Sequence, residues 1–212
     1  MRYDWIIFDV DGTLIETARS NSIGLMITMK ELFNKEYTEE EIRKYMGIPG
    51  DMALRNIGVK EEKIMDTWVY WGNKVKEYAH YNYVFEGVMP MLEELSKSYN
   101  LAIATSKTHQ QLHDDFVQRG LLEYFKIWVC KEDTDKHKPN PEPLLKAMEK
   151  AKINKGQAIY IGDALVDYQA AKAANMDFGH CRFADKYDEV DCHITFNTAE
   201  GLKEYFIEEL EN

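Results

Sequence analysis

Apolar residues are distributed along this chain in two patterns, and the first of them opens the sequence. Residues 5–8 (Trp-Ile-Ile-Phe) form an apolar run without polar alternation, which is typical of a strand covered on both faces in a parallel α/β sheet. Asp9 and Asp11 follow that run, and Gly12 permits a sharp turn after them. Because alternate residues of an extended strand point to the same side, the spacing predicts that both carboxylates approach one group beyond the strand end.

Beyond residue 83, short apolar runs alternate with stretches whose apolar residues recur every three or four positions. The predicted strands lie at 101–104, 127–130, 158–161, 178–183 and 194–196, and the last predicted helix lies at 199–209. One helix is expected to start within the proline-rich stretch 139–143, since proline is tolerated in a first helical turn. The alternation predicts an α/β fold built on a doubly wound parallel sheet with a Rossmann-like core.

The second pattern occupies residues 16–83, where helical spacing prevails and no convincing strand is found. Helices are predicted at 18–33, 39–45, 51–56 and 61–80, with a glycine- and proline-containing break at 47–50. We therefore expect two domains: an α/β core made of residues 1–15 and 84–212, and an α-helical domain inserted at 16–83.

Composition and charge narrow the class of protein. The chain has 212 residues and a net charge of −11, which argues against nucleic-acid binding, because phosphate backbones are held by clustered Lys and Arg. No apolar run approaches the roughly 20 residues that a membrane span requires, and no signal pattern precedes the first strand, so we expect a cytoplasmic protein with no membrane partner. Three widely spaced cysteines are interpreted as reduced thiols.

The polar residues that follow the predicted strands are of different kinds, and each kind serves phosphoryl transfer. Asp9 can attack phosphorus as a nucleophile, while Asp11 can protonate the leaving oxygen and later activate water. Thr105 offers a hydroxyl and neighbouring backbone N–H groups to a phosphate oxygen. Lys138, placed just before a proline, supplies a cation that offsets the negative charge of the phosphate.

Further residues are candidates for contacts with substrate or phosphate. Gly12 and Thr13 continue the first loop, and Ser106 could share the role of Thr105. Lys107 is a candidate for a second positive contact. Lys107 also competes, with Lys131 and Lys136, for the role given to Lys138.

The paired carboxylates predict a divalent cation, because two acids so close resist being ionised together without a positive charge between them. Magnesium prefers carboxylate and carbonyl oxygens, and Asp163 offers a further carboxylate beyond the strand at 158–161. We therefore assign Asp9, Asp11 and Asp163 to a Mg²⁺ site. If a helix begins just after Gly162, Asp163 and Asp167 share one helical face, and Asp167 supports the site by orienting a metal-bound water or a nearby lysine.

These residues resemble the motifs of the haloacid dehalogenase superfamily: residues 9–13 (Asp-Val-Asp-Gly-Thr), Thr105, Lys138, and residues 162–167 (Gly-Asp-Ala-Leu-Val-Asp). The resemblance implies Asp9 as the nucleophile, Asp11 as the acid and base, and Mg²⁺ held by Asp9, Asp163 and the main-chain carbonyl of Asp11. It also implies that the α/β core is catalytic and that the insertion is a helical cap of the first type, as in phosphoglycolate phosphatase-like members.

The function expected from this resemblance is Mg²⁺-dependent hydrolysis of a small phosphorylated metabolite through an aspartyl phosphate, by a monomer or a homodimer. A sugar phosphomutase and a pyrophosphatase of the same superfamily are alternatives. Mutase relatives usually place a histidine early in the cap, and residues 12–50 contain none. A non-catalytic binding or regulatory protein on the same scaffold is a third alternative.

A pair of histidines is a further candidate for a metal site. His109 and His113 lie four positions apart on a predicted helix and could in principle share an ion. No acidic partner nearby completes a zinc motif, so the pattern disfavours a metal there.

Overall fold

A six-stranded sheet forms the centre of the α/β part of the chain. The computed structural model describes residues 2–184 and 188–211. The strands are β1 (Trp5–Phe8), β2 (Ile15–Glu16), β3 (Tyr83–Val84), β4 (Asn100–Ala104), β5 (Phe125–Val129), β6 (Ala158–Gly162), β7 (Asp177–Cys181) and β8 (Ile194–Phe196). The main sheet has the order β5-β4-β1-β6-β7-β8, and every adjacent pair is parallel. The predicted doubly wound α/β fold is thereby confirmed.

The helices are distributed between this sheet and the inserted segment. They are α1 (Ala18–Phe33), α2 (Glu39–Arg43), α3 (Gly50–Asn56), α4 (Ile64–Glu77), α5 (Val88–Leu95), α6 (His109–Arg119), α7 (Glu142–Ala151), α8 (Leu165–Ala174) and α9 (Ala199–Glu211). By its internal contacts the chain forms two compact units, one of Met1–Ile15 with Val84–Asn212 and the other of Glu16–Tyr83.

Strand β1 is buried on both faces. Ile6 and Phe8 lie in one hydrophobic cluster, whereas Ile7 between them lies in another. This alternation follows from the strand period of two, and it explains why the run needs no polar residue. Since β4 and β6 flank β1 on opposite sides, the loops after these three strands leave the same edge of the sheet, where α/β proteins bind their ligands.

The inserted unit has its own core. Buried residues of α1, α2, α3 and α4 contribute to it, with Leu25, Leu54 and Trp71 among them. The Trp71 indole N–H donates to the main-chain carbonyl of Asn21 over 3.0 Å. None of the helices in the described part of the chain has the length and apolar character of a membrane crossing.

Two predicted helices show the largest differences from the structure at their ends. The helix expected at 61–80 is shorter, because 3-10 turns at Glu61–Lys63 and Ala79–Tyr81 flank α4; such tighter turns are common at helix termini. The proline-rich stretch delays α7 until Glu142, so that Pro143 alone of its three prolines lies within the helix. Asn140 precedes Pro141, and a residue before proline is disfavoured in helical geometry, which fits a start after Pro141.

Candidate active site

The loop after β1 begins with a buried aspartate. The backbone N–H of Asp9 donates to the Ile161 carbonyl over 2.8 Å, which continues the pairing of the sheet by one residue. The chain then turns back on itself, because Leu14 and Ile15 both donate to the Val10 carbonyl, over 2.9 and 3.0 Å. β1 ends at Phe8, so Asp9 and Asp11 both lie beyond the strand and Asp11 lies in a tight turn.

Lys138 is the cation that the structure brings to Asp9. Its ammonium lies 2.9 Å from Asp9 Oδ1 and 2.6 Å from Asp167 Oδ1, and its side chain is only 2% exposed. Burial lowers the pKa of Lys138, but the adjacent carboxylates of Asp167 and Asp9 outweigh that effect and hold the pKa above its usual value. A permanently charged lysine thus lies beside the candidate nucleophile.

Tyr160 completes the surroundings of this lysine. The phenol oxygen lies 3.1 Å from Lys138 Nζ, 2.9 Å from Asp167 Oδ1 and 3.0 Å from the Ala104 carbonyl oxygen. Lys138 donates to this oxygen, and the hydroxyl hydrogen can go to Asp167 or to Ala104. The sequence analysis did not assign Tyr160 to the site, although one polar group within the otherwise apolar strand 158–161 was a usable signal.

The Asp167 carboxylate bonds both Lys138 and the backbone at the start of its own helix. Helix α8 starts at Leu165, and the N–H of Ala164 donates to Asp167 Oδ2 over 3.1 Å. Asp163 therefore precedes the helix, and the expected shared helical face of Asp163 and Asp167 is wrong. Of the two supporting roles expected for Asp167, the contacts fit the orientation of a lysine.

Three carboxylates lie close enough to hold one ion. One oxygen from each of Asp9, Asp163 and Asp167 lies within 4.8 Å of the others. The Thr13 hydroxyl donates to Asp163 Oδ1 over 3.2 Å, so this side chain, expected on phosphate, positions an acid here. Gly12 has a φ of +81°, and a Cβ at this position would overlap the Asp163 carboxylate.

The charges at this point fit a divalent cation. Desolvation, opposed by Lys138 and reinforced by Asp167 and Asp11, raises the pKa of Asp9 to about 7. Desolvation, followed by the charges of Asp167 and Asp9, also raises the pKa of Asp163 well above its usual range. Among the ion pairs of the described residues, the three carboxylates have only the Lys138 ammonium as a close positive partner. Carboxylate oxygens are the ligands that Mg²⁺ prefers. Asp9 and Asp163 would hold the ion, since Asp167 is occupied by Lys138 and Tyr160.

Asp11 lies against a different lysine. Lys107 Nζ is 2.9 Å from Asp11 Oδ1 and 2.8 Å from Asp115 Oδ2, and Arg119 contacts Asp115 over 3.3 Å. Burial lowers the pKa of Lys107, but Asp11 and Asp115 outweigh it and raise the pKa above its usual value. Asp115 was missed by the sequence analysis, because a polar residue on a helix gives no sign of which lysine it meets.

The loop after β4 carries the remaining candidates. The Thr105 side chain is buried, and its hydroxyl oxygen accepts a hydrogen bond of 3.3 Å from the Lys107 N–H. The Ser106 hydroxyl is also buried and has no hydrogen-bond partner among the residues that the structure describes. Thr105 and Lys107 therefore lie on one loop. The Ser106 hydroxyl in the same loop is available to a phosphate oxygen, since it has no partner in the described part of the chain.

A parallel sheet that gathers acids and buried lysines at the carboxyl ends of its strands defines an α/β enzyme suited to phosphoryl transfer. The sequence profile of the haloacid dehalogenase-like hydrolase family matches residues 6–180. The chain belongs to this family, as the motifs predicted.

Individual relatives agree with this assignment. The phosphoglycolate phosphatase of Aquifex aeolicus is 30% identical over 178 aligned positions, and the match covers 80% of this chain and 80% of that protein. Pyrophosphatase PpaX of Oceanobacillus iheyensis is 28% identical over 173 residues, 81% of this chain and 79% of that protein. The structure of CbbY from Rhodobacter sphaeroides, solved with phosphate, has a TM-score of 0.81 at 18% identity and covers 94% of this chain and 96% of that chain. The chain is thus a phosphatase of the haloacid dehalogenase superfamily.

Proposed function

We propose that this phosphatase hydrolyses small phosphomonoesters with the help of Mg²⁺, through an aspartyl phosphate formed on Asp9. The observation that carries the proposal is the placement of the Asp9 carboxylate. Its Oδ1 lies 2.9 Å from the Lys138 ammonium, and one oxygen from each of Asp9, Asp163 and Asp167 lies within 4.8 Å of the others. An anionic nucleophile can approach an anionic phosphate only where such positive charge is provided.

The reaction balances with the residues of the α/β unit. A carboxylate oxygen of Asp9 attacks phosphorus, and the bond from phosphorus to the leaving alcohol oxygen breaks while Asp11 delivers a proton to that oxygen. Asp11 then takes a proton from water, whose oxygen attacks phosphorus and releases Asp9 and inorganic phosphate. Lys107 holds Asp11 in place, and Lys138, beside Asp9, would offset the negative charge of the phosphoryl oxygens.

Asp9 and Asp163 would hold Mg²⁺, together with the main-chain carbonyl of Asp11 that the family resemblance implies. The bound ion would neutralise charge on the phosphoryl group. Thr13 keeps Asp163 turned toward the site. Hydrogen bonds to Tyr160 and Asp167 fix the position of the Lys138 ammonium.

The substrate class rests on the relatives. Their names include a phosphoglycolate phosphatase and a pyrophosphatase, and the structural relative CbbY was solved with phosphate. We therefore propose a small phosphorylated metabolite resembling phosphoglycolate, with pyrophosphate as the second candidate substrate. A monomer or homodimer in the cytoplasm, and the cap role of Glu16–Tyr83, stay predictions.

The test is hydrolysis of an aryl phosphate and of a panel containing phosphoglycolate, pyrophosphate, sugar phosphates and nucleotides, with and without Mg²⁺. We expect turnover that needs Mg²⁺ and that Asp9→Asn abolishes, together with a phosphorylated protein trapped by rapid acid quench. Asp66→Asn, at an exposed position of α4, is the matched control and should keep full activity. Undiminished turnover by Asp9→Asn would exclude the proposed nucleophile, and inactivity across the whole panel would favour a regulatory protein.

A further inference from the structure

A second group of metal-ligating side chains lies in the α/β unit, apart from the residues assigned to phosphate chemistry. It consists of His109 at the start of α6, Cys130 directly after β5, and Asp133 at the end of the 3-10 turn Lys131–Asp133. A ring nitrogen, the thiol sulfur and a carboxylate oxygen lie within 4.8 Å of one another. Two different strand-end loops therefore bring nitrogen, sulfur and oxygen ligands to one point.

These side chains are held in place by the backbone around them. The Cys130 N–H donates to Asp133 Oδ2 over 2.8 Å, and Lys150 Nζ contacts Asp133 Oδ1 over 3.1 Å. The Glu132 carboxylate accepts from the His109 N–H over 3.1 Å. Because these contacts join the start of α6 to the turn after β5, the ligands need little ordering when an ion arrives.

The two loops are also joined through the main chain. The Lys131 N–H donates to the Lys107 carbonyl over 2.8 Å. An ion bound across His109, Cys130 and Asp133 would therefore reinforce an existing connection between the loops after β4 and β5.

The mixture of ligands selects the kind of metal. Magnesium and calcium take oxygen, whereas thiolate and imidazole together suit zinc and similar transition metals. We propose that His109, Cys130 and Asp133 form a binding site for Zn²⁺ or a similar transition-metal dication, with solvent as the fourth ligand. On binding, the Cys130 sulfur forms the bond to the metal and its proton is released to solvent.

Only small movements separate the present arrangement from coordination. His109 Nε2 lies 2.9 Å from Asp133 Oδ2, whereas a tetrahedral Zn²⁺ with bonds of about 2.0–2.2 Å holds such ligands roughly 3.4 Å apart. The His109 side chain is 52% exposed and can shift by that amount. Cys130 is buried, so its thiol approaches the ion from the protein side.

The location explains why the sequence pattern missed the site. His113, four residues after His109, has an exposed side chain whose ring nitrogen lies 4.0 Å from the adjacent Asp114. The partners of His109 come instead from the turn after β5, more than twenty positions along the chain. Residue spacing along one helix does not indicate these ligands, because they come from loops after two different strands of the sheet.

The experiment is a calorimetric titration of the whole reduced chain with Zn²⁺ in saturating Mg²⁺, which keeps the carboxylate site occupied. We expect one equivalent of Zn²⁺ to bind, and His109→Gln to weaken the affinity at least about tenfold. His113→Gln, on the same helix with an exposed side chain, is the matched control and should bind as the natural chain does. His109 is on the surface, so its variant is expected to fold.

A spectroscopic measurement identifies the sulfur ligand. Co²⁺ in place of Zn²⁺ should give a thiolate-to-cobalt charge-transfer band that Cys130→Ser abolishes and Cys192→Ser retains. The proposal is overturned if no Zn²⁺ binds in the presence of saturating Mg²⁺, or if His109→Gln and His113→Gln bind Zn²⁺ with equal affinity. It is also overturned if bound Co²⁺ shows no thiolate-to-cobalt charge-transfer band.

Discussion

The ammonium of Lys107 lies 2.9 Å from the carboxylate of Asp11 and is held on its other side by Asp115. This ion pair fixes the orientation of the Asp11 side chain, the candidate general acid and base, within the tight turn after β1. The sequence analysis expected Lys107 to contact substrate, and this ion pair gives it a second candidate role as the residue that orients Asp11.

The first prediction separates these two roles of Lys107. Lys107→Met removes the charge that orients Asp11, so kcat should fall at least about tenfold while KM changes little, since general acid and base catalysis contributes factors of this size or larger. Lys107→Arg should recover part of the rate. Lys172→Met, an exposed lysine of α8, serves as the control. A rise in KM at unchanged kcat would instead support the substrate contact.

The second prediction concerns the phenol beside Lys138. Tyr160→Phe removes one acceptor from a lysine that is 2% exposed, so we expect a loss of about 1–2 kcal/mol in the free energy of unfolding and a lower kcat/KM. Urea denaturation and steady-state kinetics measure the two effects. Tyr168→Phe, partly exposed on α8, is the comparison; equal stability of the two variants would contradict the role given to Tyr160.

The third prediction tests the glycine beneath Asp163. Gly12→Ala and Gly156→Ala both place a side chain at positive φ, +81° and +94°, and each should lose about 1–2 kcal/mol from backbone strain. Only the Cβ at position 12 overlaps the Asp163 carboxylate, since nothing lies within 4 Å at position 156. Calorimetric Mg²⁺ titration should show weaker binding for Gly12→Ala alone. Equal Mg²⁺ affinity of both variants would argue against Asp163 as a ligand.

The fourth prediction concerns alkaline stability. Burial, followed by the charge of Glu209, raises the pKa of Tyr99 to about 12, and its hydroxyl donates to the Phe206 carbonyl over 2.8 Å. The unfolded chain releases this proton near pH 10, before the folded chain does, so the stabilising contribution is complete below pH 10 and is lost as the pH rises toward 12. Urea denaturation should show the stability advantage over Tyr99→Phe shrinking by about 1 kcal/mol between pH 9 and 11.5. A constant difference would contradict this titration.

The fold was predictable because its signals are local. The apolar runs of β1, β4 and β6 need no knowledge of their neighbours, and helix α1 was expected at the residues that the structure gives it. Helix ends were less certain, since prolines and 3-10 turns change them by a few residues.

The candidate site was predictable in its residues but not in its contacts. Strand ends identify Asp9 and Asp163, yet nothing in the spacing shows that Asp11 meets Lys107. Which lysine a carboxylate meets depends on how the sheet aligns distant loops. The roles assigned to these residues therefore stay predictions that the kinetics above can test.

The short strands β2 and β3 pair with each other, so the chain leaves the α/β unit and returns to it at neighbouring positions. A segment whose two ends are already adjacent can gain or lose helices at little entropic cost, because closure entropy grows only slowly with length. Evolution can therefore replace everything between Ile15 and Val84 without disturbing the order of the main sheet. The inserted segment can thus vary in length while the six-stranded sheet keeps its strand order.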